Sequence, residues 1–231
     1  MPFALVTCGP AHEPIDHVRR ITNNSTGELG TILSESLAAA GFEVLCLRGE
    51  SAGHPPPRNA RVLSFSKNAS MAALLETLAV PPEVIFHAAA LCDFIVQRIE
   101  GADQERKIRS DTAELHLILR PAQKILPRLR SLFPHSLIVG WKYELDGSRS
   151  EAIERARQQI ETSHTDACVI NGSAYGSGFG FLTREDKDAE HLLDKPSLCR
   201  FLATWTLGRL THSSASAKAD QFPPSQAARS K

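Results

Sequence analysis

The chain has 231 residues, 42% hydrophobic and 23% charged, with 26 basic side chains balanced by 26 acidic ones. That length and balance suit one sizeable globular core and exclude a disordered or fibrous chain, and the interspersed charge excludes the one-sided positive field of a nucleic-acid binder. Five cysteines without a C-x-x-C pair and nine histidines without ligand spacing read as reduced core thiols of a cytoplasmic protein, not a zinc site, and neither a signal-peptide pattern nor an apolar run of ~18 residues is found.

Short apolar runs alternate with longer segments whose apolar residues recur at three and four, the pattern of βα units feeding a parallel sheet. The first run, residues 3–8, ends in Gly9 and Pro10 and leads into a polar stretch, EPIDHVRRITNNSTGELG, over residues 13–30. A helix is expected to start at Ser25 or Thr26 and to end at Ala40, with Gly41 as its left-handed cap. Strands follow at 43–47 and 61–65, joined by a stiff connection through Pro55, Pro56 and Pro57, then a helix at 69–78 and a buried strand at 84–88. Residues 111–119 alternate polar and apolar side chains and pair antiparallel with 94–99 in a flap, with the charged residues 103–107 at its turn. A helix at 122–132, a strand at 136–141, a helix at 150–162 and a strand at 167–170 continue the alternation, and 178–182 with 191–193 make a second hairpin, an edge of the kind that pairs with another chain. From His212 the apolar periodicity stops, so residues 212–231 read as a disordered tail behind a single domain over 1–211. The expected class is α/β, a Rossmann-like and mostly parallel sheet with helices on both faces plus a β-flap.

Several groups of residues are suited to chemistry, and each has a plainer reading. Arg19 can fork onto a phosphate or carboxylate, Asn23 and Asn24 can donate and accept, and Ser25, Thr26 and Gly27 lie where a helix N-terminus offers free N–H groups, with Gly9 upstream. Equally, the Asn24-Ser25-Thr26 run caps a helix and Arg19 pairs with Asp16. His87-Ala88-Ala89-Ala90-Leu91-Cys92-Asp93 ends a strand at the edge where open α/β sheets bind ligands; Ala89 and Ala90 allow close approach to the backbone, and Asp93 suits Mg²⁺ on a triphosphate or else caps a turn. His87 reads as a core histidine. Arg106, Lys107 and Arg109 form either a solvated face or, if the flap folds over the sheet edge, a contact to a nucleotide. Trp141 suits a base or the core, with the cation of Lys142 beside it, and Asn171 follows the next strand at the same edge.

The order EPIDHVRRITNNSTGELG, HAAALCDF, RKIRS, GWKYELD, DACVINGS resembles the phosphopantothenate-cysteine ligase family of coenzyme A biosynthesis, over about residues 3–210. The resemblance implies a homodimer in which a flap reaches the partner's site. It also implies a reaction joining 4′-phosphopantothenate to L-cysteine: CTP or ATP with Mg²⁺ activates the carboxylate as an acyl-nucleotidylate, and the cysteine amine then displaces the nucleotide. By that resemblance Asn23 holds the acyl intermediate, Arg19 positions the acid, Lys107 serves activation, Asp93 is the acidic residue after the Ala-rich strand, and Trp141 takes the place of a phenylalanine near the base. Ser25, Thr26 and Gly27 lie beside the substrate phosphate or triphosphate. Two departures stand out. The family's Gly-Gly-Thr is Gly9-Pro10-Ala11 here, and two triphosphate lysines are replaced by Gln159 and Ser163, with Arg157 as the candidate substitute. A separate decarboxylase is expected in the same pathway. The alternatives are an NAD(P)-binding oxidoreductase, for which G-x-G-x-x-G is missing, and a nucleotide-binding homologue with impaired catalysis.

Overall fold

The computed structural model describes residues 1–101, 107–112 and 114–219. Along the chain these form β1 (Phe3–Cys8), β2 (His12–Pro14), β3 (Arg20–Thr22), α1 (Glu28–Ala39), β4 (Glu43–Gly49), β5 (Arg61–Phe65), α2 (Asn68–Glu76), β6 (Val84–His87), β7 (Phe94–Glu100) and β8 (His116–Pro121). They continue as α3 (Leu126–Leu132), β9 (Leu137–Tyr143), α4 (Arg149–Ser163), β10 (Ala167–Asn171), β11 (Phe179–Thr183), β12 (Glu190–Leu192) and α5 (Lys195–Ala219).

Eight strands make one sheet in the order β12-β11-β10-β9-β6-β1-β4-β5, parallel from β10 to β5 and antiparallel at β11 and β12. The period of two along β1 divides its burial between the two faces. Ala4 and Val6 join Leu33 and Leu37 of α1 and Leu198 and Leu202 of α5. Leu5, from the other side, joins Met71 and Leu75 of α2 and Leu129 of α3. Helices therefore cover both faces, as the continuous apolar strands require, and the expected Rossmann-like α/β class holds. The two antiparallel hairpins also hold: β7 pairs with β8 as a two-stranded sheet of their own, and β11 pairs with β12.

The boundaries differ where backbone geometry intervenes. Gly27, not Ser25 or Thr26, is the N-cap of α1, with φ at 79°. Helix α3 begins at Leu126 rather than near 122, because Pro127 fits only a first turn. Strand β8 starts at His116, not 111. The short β2–β3 hairpin and α5 are unanticipated, although Leu198, Cys199, Leu202, Ala203 and Thr206 of α5 are buried at core-facing spacing. Helix α5 carries the chain through Ala219, into the segment read as a tail; residues 220–231 and the flap-turn residues 102–106 lie outside the described residues. All five cysteines are buried and free. Among the described residues no helix is long and apolar enough to cross a membrane.

Candidate active site

Strands β1 and β6 are neighbours, but the chain leaves β1 for β4 on one side and only later crosses to β6 on the other. Such a switch opens a crevice beyond the C-terminal ends of the strands. The two loops at that edge are stitched together: Ala90 N–H donates to the Gly9 carbonyl and Ala11 N–H donates to the Ala90 carbonyl, both at 3.0 Å. Gly9 and Gly27 both take positive φ, and a Cβ on either would meet the Ala52 methyl at 2.9 and 3.0 Å. Only glycine lets these turns close this tightly. The start of α1 is thereby held over the end of β1 with its orphan N–H groups at the crevice. Thr26 Oγ1 accepts one of them, from Glu28, at 3.3 Å.

The crevice is a cleft of about 860 Å³ that gathers Gly9, Asn23, Asn24, Ser25, Thr26, Gly27, Ala89, Ala90, Asp93, Trp141 and Asn171. A second lobe of about 470 Å³ shares Ala89, Asp93 and Trp141 and adds Lys142, Lys124, Arg155, Gln159 and Ser163. Asn23 donates its side-chain N–H to the Leu91 carbonyl at 2.8 Å, which fixes the amide and leaves its second N–H and its oxygen for a ligand. Asp93 is ion-paired with Lys124. Among the described residues no three His, Cys, Asp or Glu side chains gather around a metal position, so an ion at Asp93 would take its other ligands from phosphate oxygens and water, as Mg²⁺ does. Trp141 lines both lobes, and its indole N–H is a buried donor with no partner among the described residues, the kind of group that a ligand completes.

The cations of the second lobe differ from those expected. Arg157 turns away from it, donating to the Asp186 and Lys187 carbonyls at 2.9 and 3.1 Å, and so does not replace the missing lysines. Residues 155, 159 and 163 share one helix face, which makes Arg155 the arginine at the cleft. It and Lys142, at 3.1 Å, both pair with Glu144. Burial raises the Glu144 carboxyl, but Arg155 and Lys142 outweigh it and hold the group below the usual carboxylate range. Gln159 donates to the Trp141 carbonyl at 3.3 Å.

Arg19 and Lys107 are not among the described residues that line either lobe. Arg19 follows its plainer reading, bonding Asp16 at 2.6 Å and the Ile108 carbonyl at 3.1 Å. Asp16 also accepts from the backbone N–H groups of Val18, Arg19 and Ile108. Against the cost of burial, these bonds and the Arg19 guanidinium hold its carboxyl down at about 2. Lys107 is exposed next to that anchor. Lys195, Glu28, Lys124, Arg155, Tyr143 and Leu145 line the cleft without having been marked in the sequence. The helical spacing 155-159-163 was the available signal for Arg155; Lys195 had none, since its helix was unforeseen.

His87 is the core histidine expected. It is buried against the Thr7 hydroxyl at 2.9 Å, and burial pushes its pKa down to about 4. Its ordinary value is ~6.5, so between these values only the unfolded chain takes up the proton. Stability should therefore fall as pH drops from ~6.5 to about 4, by ~1.4 kcal/mol per unit from this group, and level off below. Denaturant titrations from pH 4 to 7.5 check this, and in His87→Gln that component of the slope should vanish.

Residues 3–197 match the family model of the DNA/pantothenate metabolism flavoprotein C-terminal domain. The chain belongs to this family. Among its relatives, the coenzyme A biosynthesis bifunctional protein CoaBC of Thermococcus kodakarensis is 34% identical over 174 residues, 75% of this chain and 42% of that protein. The chain spans less than half the length of the curated relatives it matches. In fold, it matches the DNA/pantothenate metabolism flavoprotein from Streptococcus pneumoniae with a TM-score of 0.80 at 21% identity, over 90% of this chain and all of the other. A Cab2 variant in complex with phosphopantothenate-cysteine matches with a TM-score of 0.70 at 20% identity, over 94% of this chain and 89% of the other. The family model's span takes in both lobes of the cleft, from Cys8 to Lys195.

Proposed function

We propose that the chain is a phosphopantothenate-cysteine ligase. The observation that carries this reading is the convergence of Asn23, Asp93, Trp141 and the N-terminus of α1 on one two-lobed cleft. A carboxylate is inert to amines until one of its oxygens becomes part of a leaving group. In the first step the acid's carboxylate oxygen attacks the α-phosphorus of CTP or ATP, a P–O bond forms, and pyrophosphate departs. In the second the cysteine amine attacks the acyl carbon, the C–O bond to the nucleotide breaks, and the nucleoside monophosphate leaves while the amine loses its proton.

The chain's own groups divide this work. Asn23 presents its free amide valences to the acyl group of the intermediate. Trp141 lies against the base and Lys142 beside it, while Ala89, Ala90 and Asn171 give the nucleotide close access to backbone at the sheet edge. Gly9, Asn24, Ser25, Thr26 and Gly27 receive phosphate oxygens at the end of α1. Asp93, released from Lys124, would ligate Mg²⁺, which neutralises charge on the departing pyrophosphate when bound.

Lys107 and Arg19 enter through a second copy of the chain. The flap β7–β8 stands outside the main sheet, and its Phe94 and Leu119 are 53% and 40% exposed, apolar surface of the kind a partner covers. In this homodimer the Asp16–Arg19–Ile108 anchor fixes the base of the segment that carries Lys107 to the partner's cleft. Decarboxylation of the amide product is the expected next reaction, and the cytoplasm is the expected location.

The test is pyrophosphate release with 4′-phosphopantothenate, L-cysteine, Mg²⁺ and each of CTP and ATP. Release that depends on the acid with at least one nucleotide is expected. No release with either would overturn the reading, and tight nucleotide binding alone would point to the catalytically impaired homologue.

A further inference from the structure

Lys195, the first residue of α5, reaches across the larger lobe to Glu28, the first residue of α1, and both side chains line the cleft. Neither has a part in the scheme above. The positive end of a helix attracts anions, and at present the Glu28 carboxylate supplies that negative charge. The Lys195 ammonium, through its hydrogen bond and charge, holds this carboxyl below its ordinary range. The two side chains remain 37% and 40% exposed, so the pair contributes little to folding and exchanges partners readily. Around it lie the hydroxyls of Ser25 and Thr26 and the backbone of Gly27, which carries no Cβ. One cation, two hydroxyls and the N–H groups of a helix start offer more donors than a carboxylate uses and match the three oxygens of a phosphoryl group.

We propose that Lys195 is a phosphate-positioning residue and that Glu28 is its built-in competitor: a phosphoryl group arriving at the α1 N-terminus displaces the Glu28 carboxylate from Lys195. This rests on the ligase reading, in which two substrates carry phosphate, the acid at its terminal ester and the nucleotide in its chain. The shared chemistry is a phosphate dianion.

Inorganic tripolyphosphate serves as the probe, followed by calorimetry and without turnover, on wild type, Lys195→Met and Glu28→Gln. Lys195→Met should bind it ~10-fold or more weakly, as expected for a lost charge-assisted contact, whereas Glu28→Gln should bind it tighter by ~3-fold. Opposite signs separate a competitor from a structural clasp, since breaking a clasp from either side weakens binding alike. In steady state Lys195→Met should raise KM more than it lowers kcat. A rise confined to the acid assigns the phosphate to that substrate, and a rise confined to the nucleotide assigns it to the other. Unchanged tripolyphosphate binding in Lys195→Met, or weakening in both variants, overturns the proposal. If wild type binds tripolyphosphate with this pattern yet releases no pyrophosphate, the ligase reading fails while the Lys195 site stands; if it turns over and Lys195→Met leaves both KM values unchanged, the reverse holds.

Discussion

Asn23→Asp is expected to release pyrophosphate in one burst and then stall, with overall turnover down by ~10²–10³-fold, the cost of losing an oxyanion-type donor. The amide is pinned by its bond to the Leu91 carbonyl, so its remaining N–H is oriented before substrate arrives. A carboxylate of the same shape has no N–H for Leu91 and repels an acyl oxygen that gains charge as the amine attacks. Formation of the acyl-nucleotidylate builds its new charge on the phosphates instead, so the first half-reaction survives. Lys107→Ala should behave in the opposite way. In the proposed dimer it removes a cation that the flap brings to the phosphates, and the burst itself should disappear. Rapid-quench measurement of pyrophosphate and of the enzyme-bound intermediate separates the two variants. Equal loss of both half-reactions in both would contradict this division of roles.

Gly30→Ala should be among the most damaging additions of a single methyl to the described residues. A Cβ at position 30 would stand 2.1 Å from the Cβ of Cys8, at the crossing of α1 over the end of β1. Neither side can yield cheaply, because Cys8 is 1% exposed in an inner strand of the sheet and α1 is pinned by Leu33 and Leu37 in the core. Overpacking of this kind costs on the order of 3 kcal/mol. For a chain of this size that lowers Tm by roughly 6–12 °C, measurable by calorimetry. The strain also lifts the helix start from the loops at Gly9 and Ala90, so nucleotide binding should weaken further than the loss of stability explains. A melting temperature within a degree or two of wild type would show that α1 does not cross β1 this closely.

Much of the fold was legible because its inner strands are buried on both faces and read as uninterrupted apolar runs; β1 has the bounds that its composition predicts, as does the edge strand β5. The candidate site was legible at and beyond the C-terminal ends of such strands, as with Ala89, Ala90, Asp93, Trp141 and Asn171, and in the polar run that holds Asn23. Four kinds of information were not. Conformation at a single residue moved the start of α1, since a left-handed Gly27 cannot be told from a helical one by composition. Competition between partners decided Arg19: Asp16 is three residues away and already folded back onto the Val18 and Arg19 amides, so the local pair wins over the cleft. Helix phase decided the cations, because Arg157 is two residues off the face that Arg155 and Gln159 share. The role proposed for Lys107 depends on a second chain, which no single sequence brings into contact.

The central claim, activation of the acid as an acyl-nucleotidylate in this cleft, is tested most directly by following oxygen. With ¹⁸O in both carboxylate oxygens of 4′-phosphopantothenate, attack at the α-phosphorus followed by displacement at the acyl carbon leaves the bridging oxygen on the departing nucleotide. Mass spectrometry should find one ¹⁸O in the released CMP or AMP for each amide formed. Label in inorganic phosphate instead, with the nucleoside monophosphate unlabelled, would mean attack at the terminal phosphorus and would contradict the account.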